Sequence, residues 1–113
     1  MSFMDWKSFR ETLMGRIGDF GKLSPDSVGG YLMASGAGAK TGHLDEKTRQ
    51  LISIAVAVTT RCDGCISVHS QKAVQAGATK DEIAEALGVA VAMNAGAALV
   101  YSARALDAAE TAA

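Results

Sequence analysis

The chain has 113 residues, of which 49% are hydrophobic and 20% charged, so it can bury a core and fits a single domain over residues 1–113. Its formal net charge of −1 excludes the basic surface typical of proteins that bind nucleic acids or anionic membranes. Aromatic residues make up 5%, and 12 glycines accompany a single proline, which favours closely approaching helices over a β-sandwich.

Apolar residues spaced i, i+3, i+7, i+8 and i+11 predict an amphipathic first helix near the start of the chain. They are Trp6, Phe9, Leu13, Met14 and Ile17. Gly18 and Gly21 are expected to end this helix. Because the opening residues are amphipathic and do not resemble a secretion signal, we expect a cytoplasmic protein.

A second, shorter helix is predicted after Ser24, because Ser24-Pro25-Asp26 supplies an N-cap residue, a proline at the first helical position and an acid in the first turn. The run from Gly36 to Gly42 contains three glycines within seven residues. It predicts a loop or hinge between this helix and the rest of the chain.

The third predicted helix begins after Asp45 and ends near Arg61. The β-branched residues at positions 52, 54, 56 and 58 also alternate as they would in a strand. The length of the segment and its charged flanks favour a buried helix. A fourth helix follows the two cysteines and is expected to end at Gly77.

Thr79 and Glu82 form the capping box of the next helix, and helices are predicted at 79–94 and 97–109. The predicted fold is therefore all-α, a compact domain of five to six helices. An uncharged run from Ala86 to Ala103 has the length of a membrane span, but its alanines, glycines and Asn94 favour a buried helix in a soluble protein. Helices this poor in charge suggest a homo-oligomer, and the alternative is a core hairpin within a monomer.

The only two cysteines and one of the two histidines form the pattern C-x-x-C-x-x-x-H at Cys62, Cys65 and His69. On a helix, Cys65 and His69 share one face, so the imidazole can hydrogen-bond the sulfur. The helix N-terminus stabilises a thiolate at Cys62. A thiolate attacks peroxides, and the neighbouring thiol then converts the sulfenic acid to a disulfide.

Other uses of the two cysteines fit the sequence less well. Structural zinc needs four ligands, and the chain offers only three close together, with His43 or an acid at a distance. A thioredoxin-like role requires a βαβ context that the pattern lacks. Inert buried cysteines remain an alternative, disfavoured by polar neighbours such as Arg61 and Asp63. We expect no metal and no cofactor.

The stretch from Leu44 to Gly96 resembles the carboxymuconolactone decarboxylase-like superfamily, in particular its alkyl hydroperoxidase D-like branch. The motifs that carry the resemblance are C-x-x-C-x-x-x-H and the following A-G-A-T-K-D-E-I. The resemblance implies an all-helical homotrimer or homohexamer that reduces peroxides with electrons from a dithiol such as dihydrolipoamide or its carrier protein.

By position, the resemblance implies that Cys65 is the peroxidatic thiol, Cys62 the resolving thiol and His69 the proton relay. The branch typically has a glutamate twelve residues before the first cysteine, where this chain has Gln50. A glutamine can orient a neighbour but cannot take up a proton. Glu46 lies one turn earlier on the same face and is the candidate replacement, ahead of His43.

The sequence therefore predicts a peroxidase of weak activity that reduces alkyl hydroperoxides or hydrogen peroxide through a dithiol/disulfide cycle. One alternative keeps the dithiol in a thiol-disulfide oxidoreductase or redox sensor. Another is a non-enzymatic oligomeric binding protein on the same scaffold. A neighbouring subunit is expected to complete the site, with the regions around Trp6 and Tyr31 as candidates.

Overall fold

In a computed structural model the chain forms five α-helices, and the structure describes residues 1–112. In chain order they are α1 (Trp6–Leu23), α2 (Pro25–Thr41), α3 (Glu46–Thr60), α4 (Asp63–Gln75) and α5 (Lys80–Glu110). No strand occurs within residues 1–112. The predicted all-α architecture of five to six helices is confirmed.

Helix α3 is the centre of the packing, with α4 and α5 against it, while α1 packs on α2 and α4. The apolar core is small. Its members, each at most 5% exposed, are Ile54 and Ala57 of α3, Ala73 of α4 and Ala90 of α5. Alanine lets helix backbones approach closely, so the core holds α3, α4 and α5 together with little side-chain bulk.

The expectation that α1 ends at Gly18 or Gly21 is wrong, because the helix continues to Leu23. It stops where Pro25 follows, because proline has no backbone N–H to donate and its ring disfavours a helical residue before it. Gly21 lies against Val28, so the glycine allows α1 and α2 to pack closely near their connection.

The loop expected from Gly36 to Gly42 is also wrong, because α2 runs through it to Thr41. The intervening alanines are strong helix formers and offset the cost of the glycines. Gly38 packs against the Arg49 side chain of α3, where an added Cβ would lie 3.2 Å from it. The helix ends at Gly42, whose φ of 73° is accessible to glycine at no steric cost.

Helices α3 and α4 follow the sequence prediction closely. The Asp45 carboxylate accepts a hydrogen bond from the Thr48 N–H at 2.8 Å and so caps α3. Arg61, in the left-handed conformation, ends that helix. Gly77, with φ of 91°, follows the end of α4 as predicted. The alternating β-branched residues of α3 are helical, which confirms the choice made from length and flanking charges.

Helix α5 is one continuous helix of 31 residues, so the predicted break between residues 94 and 97 is wrong. Gly96 lies among alanines and adopts helical geometry without difficulty. The predicted capping box is present, with hydrogen bonds of 3.1 and 2.9 Å between Thr79 and Glu82. Glu82 also pairs with Lys47 at 2.7 Å, which ties the start of α5 to the first turn of α3.

Most of α5 is not covered by the rest of the chain, and Ala90 is its only buried residue in the structure. The expectation that this helix is buried is therefore wrong for the single chain. Helix α5 packs against α3 on one side, and no further helix in the described part of the chain covers the rest of its surface. Helix α5 is long and apolar enough to cross a membrane. Core helices of soluble proteins also meet this criterion of length and composition. The radius of gyration is 18.1 Å, well above the roughly 13 Å of a compact chain of this length.

Candidate active site

The two cysteines lie at the start of α4 and form a disulfide. Cys62 is the N-cap residue, and its Sγ accepts a hydrogen bond from the Cys65 N–H at 3.2 Å. The Cα atoms are 5.3 Å apart, so the disulfide closes within the first turn of the helix. The chain therefore carries a cysteine pair placed close enough to form a disulfide within one helical turn.

Helix α1 lies directly over this turn. An added Cβ at Gly64 would lie 2.8 Å from the Leu13 side chain, so the glycine between the cysteines allows α1 to approach. One turn further along α4, the Arg10 guanidinium donates to both the carbonyl oxygen and the hydroxyl of Ser67 at 3.1 Å. Ser67 is only 3% exposed. These contacts fix α4, and with it the cysteine pair, against α1.

A chain of hydrogen bonds connects α4 to the first turn of α3. His69 Nδ1 lies 2.7 Å from Gln50 Oε1, and Gln50 Nε2 donates to Glu46 Oε1 at 2.9 Å. The other oxygen of Glu46 accepts from Arg49 at 2.8 Å. Gln50 is 8% exposed, so its amide is held in one orientation. Three of the predicted site residues are thus brought into a single row: Glu46, Gln50 and His69.

The charge of Glu46 determines which group donates and which accepts in each of these hydrogen bonds. Its pKa is lowered by hydrogen bonds from Arg49 and Gln50, so it is a carboxylate at neutral pH and can only accept hydrogen bonds. Gln50 must therefore turn its NH₂ toward Glu46 and its carbonyl toward His69. His69 then carries its proton on Nδ1, and Nε2 is left as the basic nitrogen.

Burial and, second to it, the charge of Lys72 lower the pKa of His69, against a smaller opposing effect of Glu46. The imidazole is therefore neutral at pH 7. A neutral imidazole with a free Nε2 can accept a proton from a thiol. Cys65 lies one helical turn before His69 on the same face of α4, which places a candidate proton donor beside this base.

A cleft of about 700 Å³ opens between α2, α3 and α4 beside the relay. Its lining comprises Tyr31, Leu32, Ala34, Ser35, Gly36, Ala39, Glu46, Arg49, Gln50, Ile52, Ser53, His69 and Lys72. Neither cysteine lines it, so the cleft reaches the redox centre through His69. His43, the weaker relay candidate, is exposed and also lies outside the lining.

Tyr31, predicted as a possible contribution from a second subunit, lines this cleft within its own chain. Trp6 instead lines a separate groove of about 540 Å³ between α1 and α4, together with Arg10. Arg49 and Lys72, which also line the cleft, were not predicted from the sequence. Both were detectable by spacing, because each follows a predicted relay residue by three positions and so shares its helix face.

The chain is similar to several known proteins over nearly its whole length. A Haemophilus influenzae protein of uncharacterized function is 49% identical over 106 residues, which cover 94% of each chain. An uncharacterized protein of Cupriavidus necator is 28% identical over 102 residues, or 90% of each chain.

Solved structures show the same fold. The apo crystal structure of a carboxymuconolactone decarboxylase family protein from Legionella pneumophila is 39% identical, with a TM-score of 0.73 over 93% of this chain and 94% of its own. A protein from Methanobacterium thermoautotrophicum is 34% identical, with a TM-score of 0.68 over 75% and 96%. The family model for carboxymuconolactone decarboxylase matches residues 26–108. The chain therefore belongs to the carboxymuconolactone decarboxylase family.

Proposed function

We propose that this protein is a thiol peroxidase of the alkyl hydroperoxidase D type, which reduces hydroperoxides through the Cys62–Cys65 pair. The observation that carries the proposal is the placement of a disulfide-forming pair one helical turn from His69, whose basic Nε2 is set by the hydrogen bonds through Gln50. The carboxymuconolactone decarboxylase family includes peroxidases of this type, so membership of the family supports the proposal.

The oxidative half-reaction uses the two thiols in sequence. His69 Nε2 takes the proton of Cys65, and the thiolate attacks the terminal oxygen of the hydroperoxide. The O–O bond breaks, Cys65 becomes a sulfenic acid, and the departing alkoxide takes the proton from His69 and leaves as an alcohol. Cys62 then attacks the Cys65 sulfur, the disulfide forms and water leaves. A dithiol donor of the dihydrolipoamide type returns two electrons and two protons.

The direct test is to mix the reduced protein with cumene hydroperoxide or hydrogen peroxide and read the intact mass over time. We expect the loss of two hydrogens per chain, faster at neutral pH than the oxidation of free cysteine. Oxidation no faster than that of free cysteine would contradict the peroxidase and leave the thiol-disulfide oxidoreductase or redox sensor. The disulfide supports that second candidate as well, because an oxidoreductase or sensor needs the same cysteine pair.

Glu46 is proposed to act through Gln50 on the orientation of His69. Changing Glu46→Gln removes the charge that orients the Gln50 amide, and we expect the rate of peroxide reaction at pH 7 to fall about fivefold, the kinetic equivalent of one hydrogen bond of ~1 kcal/mol. Stopped-flow measurement of the reduced protein checks this value.

The matched control moves the carboxylate by one turn. In the double variant Glu46→Gln/Gln50→Glu, the acid contacts His69 directly, and the rate should return to the wild-type value or exceed it. Gln50→Glu alone is a poorer test, because two carboxylates at hydrogen-bond distance share a proton. A rate unchanged by Glu46→Gln would remove Glu46 from the mechanism.

We also propose that copies of the chain assemble into a homotrimer or homohexamer. The exposed apolar residues of α5 support this proposal, among them Val91, Met93, Leu99 and Val100, each about 70% exposed in the single chain. Apolar side chains exposed in this number along a helix are typical of an interface between subunits. The proposed setting is the cytoplasm, with no nucleic acid or membrane partner.

A further inference from the structure

The cleft beside the relay is much larger than hydrogen peroxide requires. Its volume is about 700 Å³, whereas a water molecule occupies ~30 Å³ in the liquid. The space exists because α2 presents small residues to it, namely Ala34, Ser35, Gly36 and Ala39. A volume of this size is typical of sites that hold an organic molecule.

The wall of the cleft formed by α2 and α3 carries apolar surface. Tyr31, Leu32 and Ile52 line it, and they are 58%, 60% and 49% exposed. When an apolar ligand covers half-exposed apolar side chains, their removal from water lowers the free energy of the complex. This wall therefore suits a hydrocarbon body.

The wall formed by α4 carries a positive charge at Lys72, which is near enough to Glu46 to lower the pKa of that carboxyl but forms no salt bridge with it. The Arg49 guanidinium is engaged by Glu46 and by the Leu44 carbonyl oxygen. Lys72 makes no ion pair within residues 1–112. It follows His69 by three positions on α4, so its ammonium group shares the face of the relay and is available to an anion.

We infer that this cleft binds an amphipathic organic carboxylate, with the carboxylate at Lys72 and the apolar chain along Leu32 and Ile52. Cys65 and Lys72 are seven residues apart on α4, or about 10 Å along the helix axis. A ligand held at Lys72 therefore presents an atom several methylene groups away to the cysteine. On the proposed function, the substrate class is a medium-chain or long-chain carboxylic acid that carries a hydroperoxide.

Binding is tested without turnover, using decanoate and the uncharged decanol as probes of the oxidised protein in isothermal titration calorimetry. We expect decanoate to bind to the wild type. Lys72→Gln should weaken decanoate binding by up to about fivefold, the range of a partly exposed ion pair, and should leave decanol binding unchanged. Lys80→Gln is the matched control, because Lys80 is exposed and lies outside the cleft. Absence of decanoate binding, or equal weakening by both variants, overturns the inference.

A second measurement separates this inference from the proposed function. The reduced protein is mixed with a fatty-acid hydroperoxide and, separately, with hydrogen peroxide. A faster reaction with the fatty-acid hydroperoxide, reduced by Lys72→Gln but not by Lys80→Gln, supports both. Decanoate binding that depends on Lys72, without reaction of any peroxide, supports the site and contradicts the peroxidase. Equal reaction with both peroxides, without decanoate binding, contradicts the site and keeps the peroxidase.

Discussion

Replacing Cys65 with serine is expected to abolish the fast reaction of the reduced protein with hydroperoxides. A serine hydroxyl stays protonated beside a neutral imidazole and is a far weaker nucleophile toward oxygen than a thiolate. The measurement is the rate of peroxide loss under single-turnover conditions, together with the intact mass of the product. Cys65→Ser should show no modification on the time scale of the wild-type reaction.

Cys62→Ser is the matched control for this experiment, because it removes the second thiol and leaves the first. It should react with peroxide at nearly the wild-type rate but stop one step earlier. The product then carries an added oxygen and is trapped by a reagent specific for sulfenic acids. The reverse result, fast reaction in Cys65→Ser and none in Cys62→Ser, would assign the nucleophile to Cys62, whose N-cap position also favours a thiolate.

Replacing His69 with glutamine is expected to lower the rate of peroxide reaction at pH 7 by about 10²- to 10⁴-fold, the usual contribution of a positioned general base. Glutamine at this position can still contact Gln50 but cannot accept the Cys65 proton. His43→Gln is the matched control, since His43 is exposed and lies outside the cleft. It should leave the rate unchanged. Equal rates in the wild type and His69→Gln would contradict the role of His69.

The pH dependence gives this prediction a second readout. Burial and Lys72 lower the pKa of His69 below its usual value of about 6.5. The base is active when neutral, so the wild-type rate should rise with pH through this lowered pKa, with the midpoint of the rise below pH 6.5. This loss of rate at acidic pH should be absent in His69→Gln and preserved in His43→Gln. The same loss in His69→Gln would assign the titration to another group.

The helix starts that the sequence predicted well are those of α3 and α5, where the capping residues are explicit. Asp45 at α3 and the Thr79–Glu82 box at α5 are local signals, and their hydrogen bonds form as predicted. The errors in helix boundaries all lie at glycines. Those at positions 18, 21, 36 and 96 are helical, because glycine weakens a helix by only ~1 kcal/mol and packing offsets that cost. Gly42 and Gly77, by contrast, have positive φ and do end helices.

The candidate site was predictable to the extent that it lies on one helix face. Cys65 and His69 follow from spacing on α4, and Glu46 and Gln50 from spacing on α3. That the two faces meet at a distance of 2.7 Å is a tertiary contact between residues 19 positions apart. No periodicity specifies such a contact. The cleft was unpredictable for the same reason, since the wall formed by α2 comes from a segment that the sequence analysis expected to be partly a loop.

Helix α5 separates two kinds of mutational effect in this protein. On the proposal that other copies of the chain cover it, a single chain is an unfinished fold, and association is a step of folding. Substitutions of its exposed apolar residues are then expected to change how much protein accumulates in the cell, because unassembled chains are degraded or aggregate. Substitutions in the relay are instead expected to alter the reaction rate of each assembled molecule.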